Sequence, residues 1–424
     1  MLDIKLIREN PEKVKAGIKA KGADPKLVDG FLKFDEIWRK LTAEIENLRH
    51  EQKELGAERD LEAAKGVKGK IKEKEKELGE IEGERRNAWL LIPNMPSDDT
   101  PIGKDESANK ILRTWGEPKK FDFKPKDHLA LGEALGIIDV KKAAEVSGTR
   151  FGYLKGGAVS LEFALVQYGL SVLTDENILR KIADGVKPGY SAKAFVPVLP
   201  PVLIKPEVFQ KMARLEPEED RYYIPRDDLY LVGSAEHTLG PLHMDETLRE
   251  DDLPLRYAGF STAFRRESGS YGKDVHGILR VHQFDKLEIE SFTVSENSVV
   301  EQDFFVAIQE YLMQSLELPY QVVICSTGDQ GDPDARHIDI ETWMPGEGKY
   351  RETHSADMMT DYQARRLNTK YKKKNGGTEF VHMNDATAFA GRTLIAILEN
   401  YQTKDGKVRI PEVLQNYVGK KIIE

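Results

Sequence analysis

The chain has 424 residues, of which 40% are hydrophobic and 32% charged, and its formal net charge at pH 7 is -9. This length is sufficient for two or three domains that each bury a core. A single cysteine, Cys325, excludes an intrachain disulfide and a zinc site made of several thiolates. The acidic balance argues against nucleic-acid binding by the whole surface, although a local basic patch is still compatible with it.

The N-terminal residues are mixed in charge and lack an apolar segment, so we expect no signal peptide. No run along the chain approaches ~18 consecutive apolar residues, so we expect no membrane span. The composition therefore predicts a cytoplasmic protein without a membrane partner.

The first hundred residues carry the periodicity of long helices. From Phe31 to Leu55 apolar residues recur at alternating steps of three and four, which is a heptad pattern. The pattern lapses over 56–69, and a second helical set runs from Ile71 to Trp89. Two helices of about 25–30 residues predict an antiparallel coiled-coil arm roughly 40 Å long.

Lysines are concentrated in the tip and second helix of this arm. They are Lys65, Lys68, Lys70, Lys72, Lys74 and Lys76. One interpretation is a solvated helix face whose charges pair at i and i+4. The alternative is a surface that contacts the phosphate backbone of a nucleic acid, because these lysines concentrate positive charge on a chain that is acidic as a whole.

A segment rich in Pro, Asp, Ser and Gly follows, and we place a domain boundary in it, giving domains 1–103 and 104–424. The second domain reads as strands without regular alternation with helices. Strands are predicted at 194–204, 229–233, 255–264, 278–289, 320–326 and 337–344, and helices at 127–135, 160–184, 298–316 and 392–401. This order predicts an α+β domain around an antiparallel sheet.

The segment FRRESGSYGKDVHGILRVHQF, residues 264–284, has the pattern of a β-hairpin. Its strands would carry Arg265 and Glu267 on one side and Arg280 and Phe284 on the other. Guanidinium groups suit phosphate oxygens, and a phenyl ring offers an apolar face to a base. The hairpin therefore predicts a nucleotide clamp, in a chain that has neither a P-loop nor a GxGxxG turn.

Five segments resemble, in order, the motifs of the seryl-tRNA synthetases, a class II family of aminoacyl-tRNA synthetases. They are motif 1 at 194–209, the TAE segment at 231–243, motif 2 at 264–284, the YRExxS segment at 350–367 and motif 3 at 382–402. The resemblance implies an antiparallel catalytic sheet flanked by helices. It also implies that L-serine and ATP give seryl-adenylate and pyrophosphate, and that serine passes to tRNA(Ser), and to tRNA(Sec) where present.

The same resemblance assigns roles around ATP. Arg265 and Arg392 would be catalytic, with Arg265 on the α-phosphate and the serine carboxylate. Phe284 would stack on adenine, Glu267 would bind its amino group, and Arg280 and Arg392 would stabilise the leaving pyrophosphate. The implied ATP-binding set is Arg265, Glu267, Arg280, Val281, Phe284, Glu352, Ser355 and Arg392, with Glu352 and Ser355 as the ligands of Mg²⁺.

The resemblance also implies a serine pocket. Its members are Ser234, Glu236, Arg265, Glu288, Asp385 and Thr387. Ser234 stands where the family usually has Thr, and it keeps the hydroxyl. A site built to hydrogen-bond a substrate hydroxyl rejects analogues that lack it.

Motif 3 is one residue shorter before Arg392 than is usual in the family. Counting from His382 places Thr387 at the position that senses the serine hydroxyl, and Asp385 where Asn is expected. Counting back from Arg392 places Ala386 there instead. We favour Thr387 because it provides a side-chain oxygen.

Other histidines and the cysteine have simpler interpretations. His276 stands where the motif 2 loop usually has Arg. His237 and His243 lack a cluster of further metal ligands at suitable spacing and are predicted to line a pocket or form hydrogen bonds. Cys325 lies in an apolar run and is predicted to be a small core residue.

The resemblance implies ATP, serine and tRNA(Ser) as partners, a homodimer, and no DNA or membrane partner. In the family the arm contacts the elbow and long variable arm of the tRNA. Two alternatives remain at this point: a relative that passes the aminoacyl group to a carrier protein, and a non-catalytic paralogue. The complete basic arm argues against the first, and retention of the phosphate-binding residues argues against the second.

Overall fold

The protein was analysed as a computed structural model, which describes residues 1–268 and 276–424. The chain divides into two compact units, Met1–Pro96 and Ser97–Glu424.

The division falls earlier than the boundary predicted from sequence after residue 103. Residues just beyond Pro96 hydrogen-bond within the larger unit: the Ser97 amide donates to the Ala335 carbonyl at 2.7 Å. The Gly103 amide donates to Thr327 Oγ1 at 3.2 Å. The Pro-rich segment is therefore part of the larger unit and not an extension of the helical one.

The smaller unit is helical. Its helices are α1 (Ile4–Glu9), α2 (Pro11–Ala20), α3 (Lys26–Ala57) and α4 (Leu61–Leu90). The two long helices of the predicted arm are thus present, and α4 begins within the segment predicted as its tip. Asp60 explains this start, because its side chain accepts a hydrogen bond from the Ala63 amide at 3.0 Å and caps the helix.

A buried carboxylate joins three helices of this unit. Asp35 on α3 has no exposed surface. It accepts from Arg8 Nε on α1 and from Arg85 Nε on α4, each at 2.8 Å. Burial opposes ionisation of Asp35, but the two guanidinium groups outweigh it and lower the pKa of the carboxyl.

The larger unit is built on β-strands. In chain order they are β1 (Lys110–Trp115), β2 (Ile138–Asp139), β3 (Tyr153–Leu154), β4 (Val196–Val198), β5 (Leu203–Ile204), β6 (Tyr222–Ile224), β7 (Leu229–Leu231), β8 (Thr247–Arg249), β9 (Leu255–Phe264), β10 (Gln283–Thr293), β11 (Tyr320–Ile324), β12 (Arg336–Met344), β13 (Lys349–Thr360), β14 (Lys370–Lys372), β15 (Thr378–Phe380), β16 (His382–Ala390), β17 (Val408–Arg409) and β18 (Ile422–Ile423).

The largest sheet has eight strands in the order β1-β11-β12-β13-β16-β10-β9-β4. Its neighbours pair antiparallel except β4, which runs parallel to β9. The α+β prediction with an antiparallel catalytic sheet is confirmed.

Helices of the larger unit flank this sheet. They are α5 (His128–Ala134), α6 (Val140–Ser147), α7 (Gly157–Leu173), α8 (Glu176–Val186), α9 (Pro206–Lys211), α10 (Glu236–Leu239), α11 (Ser298–Ser315), α12 (Tyr362–Leu367), α13 (Gly391–Asn400) and α14 (Glu412–Val418). The main core forms where α11 residues such as Phe305 and Ile308 join sheet residues such as Ile289 and Ala386.

Two predicted elements are divided in the structure. The helix predicted at 160–184 is α7 and α8, separated where Asp175 caps α8 by accepting from the Asn177 amide at 2.8 Å. The strand predicted at 194–204 is β4 and β5, because prolines interrupt the ladder between them.

Across the described residues, no single helix has both the length and the apolar composition of a membrane span. The bent pair α7 and α8 meets that test only when its two helices are taken together.

Candidate active site

The hairpin predicted at 264–284 exists, but its functional side chains lie beyond the paired strands. Strands β9 and β10 pair from Phe264 with Gln283, so of the four predicted residues only Phe284 is in a strand. Arg265, Glu267 and Arg280 belong to the connection, where the Arg265 amide still donates to the His282 carbonyl at 3.0 Å. The prediction that the strands carry all four was therefore wrong. The charged residues Arg265, Glu267 and Arg280 lie on irregular backbone, and Glu267 has a positive φ of 54°.

One cleft on the sheet brings together residues from segments far apart in the sequence. Its lining includes the predicted Arg265, Glu267, Arg280, Val281, Phe284, Glu352, Ser355, Thr387 and Arg392. We call this the nucleotide cleft. All eight residues of the ATP-binding prediction are among these nine.

Within the nucleotide cleft the basic groups are already held by defined contacts. Arg265 Nε donates to the Gly233 carbonyl at 3.0 Å, and its guanidinium carbon lies 5.4 Å from the centre of the Phe284 ring. Arg280 Nε donates to Glu267 Oε2 at 2.5 Å. Both guanidinium groups therefore have defined protein partners in the cleft.

At the other wall, the Arg392 guanidinium on α13 contacts Glu352 on β13. Arg392 Nη1 lies 2.9 Å from both the carbonyl oxygen and Oε2 of Glu352. Burial opposes ionisation of Glu352, but Arg392 outweighs it and lowers the pKa of the carboxyl. Ser355 Oγ lies 3.5 Å from Thr387 Oγ1 on the neighbouring strand.

A second cavity of about 320 Å³ shares Arg265, Glu267, Arg280, Lys286 and Ser355 with the nucleotide cleft. Its remaining walls include Glu236 and Asp385 from the predicted serine set. We call this the amino-acid pocket. Ser234 is buried beside it and accepts from Lys286 Nζ at 3.4 Å.

Both glutamates of the predicted serine pocket are paired with basic side chains. Glu236 Oε1 accepts from Arg214 Nε at 2.8 Å. Glu288 Oε2 lies 2.5 Å from Lys286 Nζ. Neither Arg214 nor Lys286 was identified from sequence. Lys286 could have been, because it shares one face of β10 with Glu288 in strict alternation, whereas Arg214 follows α9 with no distinctive pattern.

The ionisation of the pocket follows its burial and its charges. Burial raises the pKa of Glu288, and Lys286 opposes that rise. Burial, together with Glu236 and Asp357, raises the pKa of Asp385 well above its ordinary value despite Arg214. Carboxylates surround the Arg214 guanidinium and raise its pKa, although partial burial opposes the charge.

The ambiguity over Thr387 and Ala386 has a structural cause. The ladder pairs Leu287 with Phe389 but Glu288 with Thr387, so Ala388 is the extra residue of a β-bulge. Before the bulge Thr387 lines the nucleotide cleft and Ala386 belongs to the main core.

Beyond the bulge β16 ends at Ala390, and Ala390 lines the cleft together with Gly391 and Arg392 at the start of α13. Counting from His382 stays before the bulge, whereas counting back from Arg392 crosses its extra residue, so the two counts differ by one. Gln309 on α11 supports the distorted region by donating through Nε2 to the carbonyl oxygens of Ser355 and Thr387, at 2.7 and 2.8 Å.

The remaining histidines and the cysteine make local contacts. His237 Nδ1 accepts from the Gly233 amide at 3.0 Å, and His243 Nε2 lies 2.8 Å from the Tyr257 hydroxyl. His276 Nε2 lies 3.4 Å from Asp127 Oδ1, while residues 269–275 of the motif 2 loop lie outside the described ranges. Cys325 is fully buried.

Of the arm lysines, the structure separates Lys74 from the others. Lys74 lies on the packing stripe of α4 between Ile71 and Leu78, and its Nζ is 3.1 Å from both Glu44 on α3 and Glu77. Lys76 Nζ lies 3.9 Å from Glu80 Oε1. The others, which are Lys65, Lys68, Lys70 and Lys72, are exposed on α4.

Comparisons with known proteins agree with this division of the chain. The Seryl-tRNA synthetase N-terminal domain matches residues 1–96, and the tRNA synthetase class II core domain (G, H, P, S and T) matches residues 220–401. The chain is 40% identical to a serine–tRNA ligase of Acidothermus cellulolyticus, over 100% of this chain and 99% of that protein.

Solved structures are similar over the same length. A seryl-tRNA synthetase from Pyrococcus horikoshii, complexed with ATP, superposes with a TM-score of 0.91 at 39% identity, covering 100% of this chain and 99% of that one. A cytoplasmic serine–tRNA ligase from Naegleria fowleri, in complex with AMP, gives a TM-score of 0.89 at 33% identity with the same coverage.

Proposed function

The chain belongs to the seryl-tRNA synthetase family, and from that premise we propose how its own residues carry out the ATP-dependent attachment of serine to tRNA. One observation supports the proposal above all others. The eight residues of the predicted ATP-binding set come from separate parts of the chain, at 265–267, 280–284, 352–355 and 392, and all of them line one cleft.

The first step joins serine to the α-phosphate. A serine carboxylate oxygen forms a bond to the α-phosphorus as the bond to the bridging oxygen of pyrophosphate breaks. The carboxylate is ionised already, so no general base is required, and catalysis rests on alignment and on neutralising the phosphoryl charge. Arg265 suits both tasks because it lines the nucleotide cleft and the amino-acid pocket.

The remaining ATP contacts require one exchange of partners. Phe284 would stack on adenine, with Val281 beside it in the cleft wall. The pair between Glu267 and Arg280 would open, so that Glu267 accepts from the adenine amino group and Arg280 contacts the phosphates. Arg392 would stabilise the leaving pyrophosphate.

Glu352 and Ser355 have the donor chemistry that Mg²⁺ requires, namely a carboxylate and a hydroxyl on the cleft wall. The ladder sets Glu341 opposite Glu352 and Asp339 opposite Ser355, and these two carboxyl groups line a neighbouring cavity of which Glu352 is also a wall. Burial raises the pKa of Asp339 to about 6, against the opposing charge of His337. Glu352 and Ser355 would hold Mg²⁺, which when bound neutralises phosphate charge.

The amino-acid pocket would bind the serine ammonium and hydroxyl. Glu236 and Glu288 supply carboxylates for the ammonium, and each would share its oxygens between the substrate and the basic side chain that now contacts it. Ser234 and Asp385 would complete the polar wall. Thr387 would contact the hydroxyl, because its Oγ1 faces Ser355 at the junction of the two cavities.

Transfer of serine to the tRNA would use the arm. Exposed lysines along α4 suit a phosphate backbone, and a stiff rod suits RNA that is recognised by shape. We extend the proposal to tRNA(Ser), and to tRNA(Sec) where present, with no DNA or membrane partner. We also propose the cytoplasm as the place of action, since tRNA charging serves translation there.

We further propose a homodimer formed through the segment 194–209, where Leu199 exposes 82% of its surface.

The decisive experiment is ATP–pyrophosphate exchange with L-serine, L-threonine, L-alanine and glycine, followed by transfer to tRNA. We expect exchange with serine and charging of tRNA(Ser). Exchange with glycine or alanine but not serine would reject the substrate, and exchange without charging of tRNA would favour a carrier protein as acceptor. No exchange at all would indicate a non-catalytic paralogue.

A variant of Arg265 connects this activity to the proposed site. Arg265→Lys keeps the positive charge but cannot contact the Gly233 carbonyl and a phosphate in the same fork geometry. We expect kcat for exchange to fall about 100-fold. Lys420→Ala, at an exposed position near the end of the chain, is the control and should leave exchange unchanged.

A further inference from the structure

A cysteine, a histidine and an aspartate meet on two neighbouring strands beside the nucleotide cleft. Strands β11 and β12 pair as far as Ile324, and just beyond it the Cys325 amide donates to the His337 carbonyl at 3.0 Å. Cys325 and His337 are therefore opposite each other, with their side chains on one face of the sheet. Asp339 lies two residues after His337 and shares that face. The backbone thus makes the three side chains neighbours.

Each of these side chains presents one metal-binding atom to a common point. Cys325 Sγ lies 3.3 Å from Asp339 Oδ2, and His337 Nε2 lies 2.9 Å from Asp339 Oδ1. One such atom from each residue lies within 4.8 Å of the other two. Ligand atoms around a tetrahedral zinc ion, at bond lengths of about 2.0–2.3 Å, are about 3–4 Å apart. The thiol, the imidazole and the carboxylate are therefore spaced as the ligands of one ion.

One carboxyl oxygen at this point lacks a donor. Asp339 exposes only 8% of its surface, and its Oδ1 has no hydrogen-bond partner within the described part of the chain. His337 Nε2 is close to this oxygen but is not aligned with it as a hydrogen bond. A buried polar atom without a partner costs free energy, and a bound cation would remove that cost.

The surroundings of the other two side chains suit metal ligands. His337 Nδ1 is hydrogen-bonded to Asp357 Oδ1 on the next strand. This bond fixes the ring and leaves Nε2 as the metal-binding nitrogen, which is the usual arrangement of a carboxylate, a histidine and a metal. Asn109 Nδ2 lies 3.7 Å from Cys325 Sγ, and a donor at that place favours the thiolate.

A cavity gives an ion access to these residues. Its volume is about 950 Å³, and its lining includes Asn109, His337 and Asp339. Glu352 is a wall of this cavity and of the nucleotide cleft. Mg²⁺ prefers oxygen ligands, whereas a thiolate and an imidazole favour Zn²⁺ or Co²⁺. In ligand chemistry the site therefore differs from the Mg²⁺ site proposed at Glu352 and Ser355.

We propose that Cys325, His337 and Asp339 form a binding site for a divalent cation of the Zn²⁺ type, whose fourth position is open to the cavity. The thiol proton leaves as the sulfur–metal bond forms, and a proton on Nε2 of the imidazole leaves as the nitrogen–metal bond forms. No electron is transferred. Neither ATP nor serine takes part, so the site is independent of the proposed function.

The test is titration of the full chain with Co²⁺ in a mildly alkaline buffer, without ATP or serine. Cobalt bound to a thiolate gives a charge-transfer band in the near ultraviolet, and Cys325 is the single cysteine of the sequence. We expect the band to saturate at about one Co²⁺ per chain, Zn²⁺ to abolish it and excess Mg²⁺ to leave it unchanged. Binding of cobalt without this band, or no binding, would overturn the inference and leave the proposed function standing.

Variants identify the ligands. Cys325→Ser should abolish the band, whereas His337→Gln and Asp339→Asn should each weaken Co²⁺ binding at least about tenfold. His50→Gln is the control, because it removes an exposed histidine that lies 3.5 Å from Glu54, and it should change neither the band nor the affinity. An undiminished band in both His337→Gln and Asp339→Asn would mean that the sulfur binds cobalt without the other two residues, and would also reject the inference.

Discussion

At the scale of single residues, the hydroxyl-sensing position gives a direct test. Thr387 faces the cleft and Ala386 lies in the core. Thr387→Ala should lower kcat/KM for serine about tenfold, the worth of one hydrogen bond, and should reduce discrimination against alanine. Thr387→Ser keeps the hydroxyl and serves as the control in the same exchange assay.

The alternative assignment predicts a different result. Ala386 is fully buried, so Ala386→Ser places a hydroxyl in an apolar core. We expect the free energy of unfolding to drop by about 1–3 kcal/mol while KM for serine stays near its original value. A larger effect on KM from Ala386→Ser than from Thr387→Ala would support counting back from Arg392.

The same scale shows how far sequence reasoning about the site could go. Residues that belong to recognisable segments, such as Arg265 and Glu352, were found and do meet in one cleft. The pairing of Glu267 with Arg280 could not be predicted, because it depends on irregular backbone after the strands end. Arg214 could not be found either, since contacts with carboxylates distant in sequence define it.

At the scale of elements, the arm separates two kinds of lysine. Changing Lys65, Lys68, Lys70 and Lys72 to Ala should weaken tRNA charging and lower its salt dependence, because each lost phosphate contact reduces the slope by about one unit. Exchange with ATP should be unaffected. The measurement is KM for tRNA over a range of salt concentrations, and an unchanged KM would contradict an RNA-binding role.

Two controls accompany this variant. Lys74→Ala removes a lysine that pairs across the helices, so it tests stability of the arm more than RNA contact. A second variant removes four exposed lysines of the larger unit, namely Lys124, Lys141, Lys187 and Lys420. This variant lowers the net charge by the same amount as the arm variant, and we expect it to leave the salt dependence of tRNA charging unchanged.

The base of the arm should be sensitive to acid. The pKa of Asp35 is lowered in the folded unit, so its contribution to stability is present above the unfolded value, ~3.9, and is lost as pH falls through the folded value. Asp35→Asn should remove this contribution at neutral pH and cost about 2 kcal/mol, because it removes the charge that Arg8 and the mostly covered Arg85 share.

Hydrogen exchange of the α3 and α4 amides measures this loss within the smaller unit itself. Asp29→Asn is the control: Asp29 pairs with Lys15 at 2.7 Å, but its side chain is 58% exposed. Such a surface pair contributes less than about 1 kcal/mol. Equal protection in Asp35→Asn and the unchanged chain would contradict the assigned role.

Element boundaries were predicted least well, for physical reasons. The heptad pattern located α3, but α4 starts earlier than its apolar pattern because the Asp60 cap and helix-forming residues extend it. Asp175 and the prolines after β4 divide elements that hydrophobicity alone joins. Periodicity records burial, whereas caps and prolines decide where an element ends.

At the scale of the whole molecule, the proposed dimer is testable through exposed apolar surface. Val196, Leu199 and Leu203 expose 55%, 82% and 38% of their surface within the segment that resembles motif 1. Burying such side chains stabilises an interface by ~25 cal/mol per Å². Leu199→Asp combined with Leu203→Asp should therefore shift the mass in light scattering from dimer toward monomer.

Leu61→Asp is the matched control for this charge, since Leu61 is 71% exposed at the start of α4. It should leave the mass unchanged. A monomeric mass for the unmodified chain at micromolar concentration would reject the homodimer and leave the chemistry of the cleft to be judged separately.

The β-bulge at Ala388 has a consequence for how this pocket can change over evolutionary time. Alternate residues of a strand face opposite sides, so losing or gaining one codon in β16 exchanges the faces of every residue between the change and the bulge. A single deletion in β16 can thus turn polar residues away from the cleft and their apolar neighbours toward it. A second change of length, later in the strand, can return Arg392 to its position in the cleft. Libraries built only from substitutions would miss these variants, and deletion scanning of 383–388 would sample them.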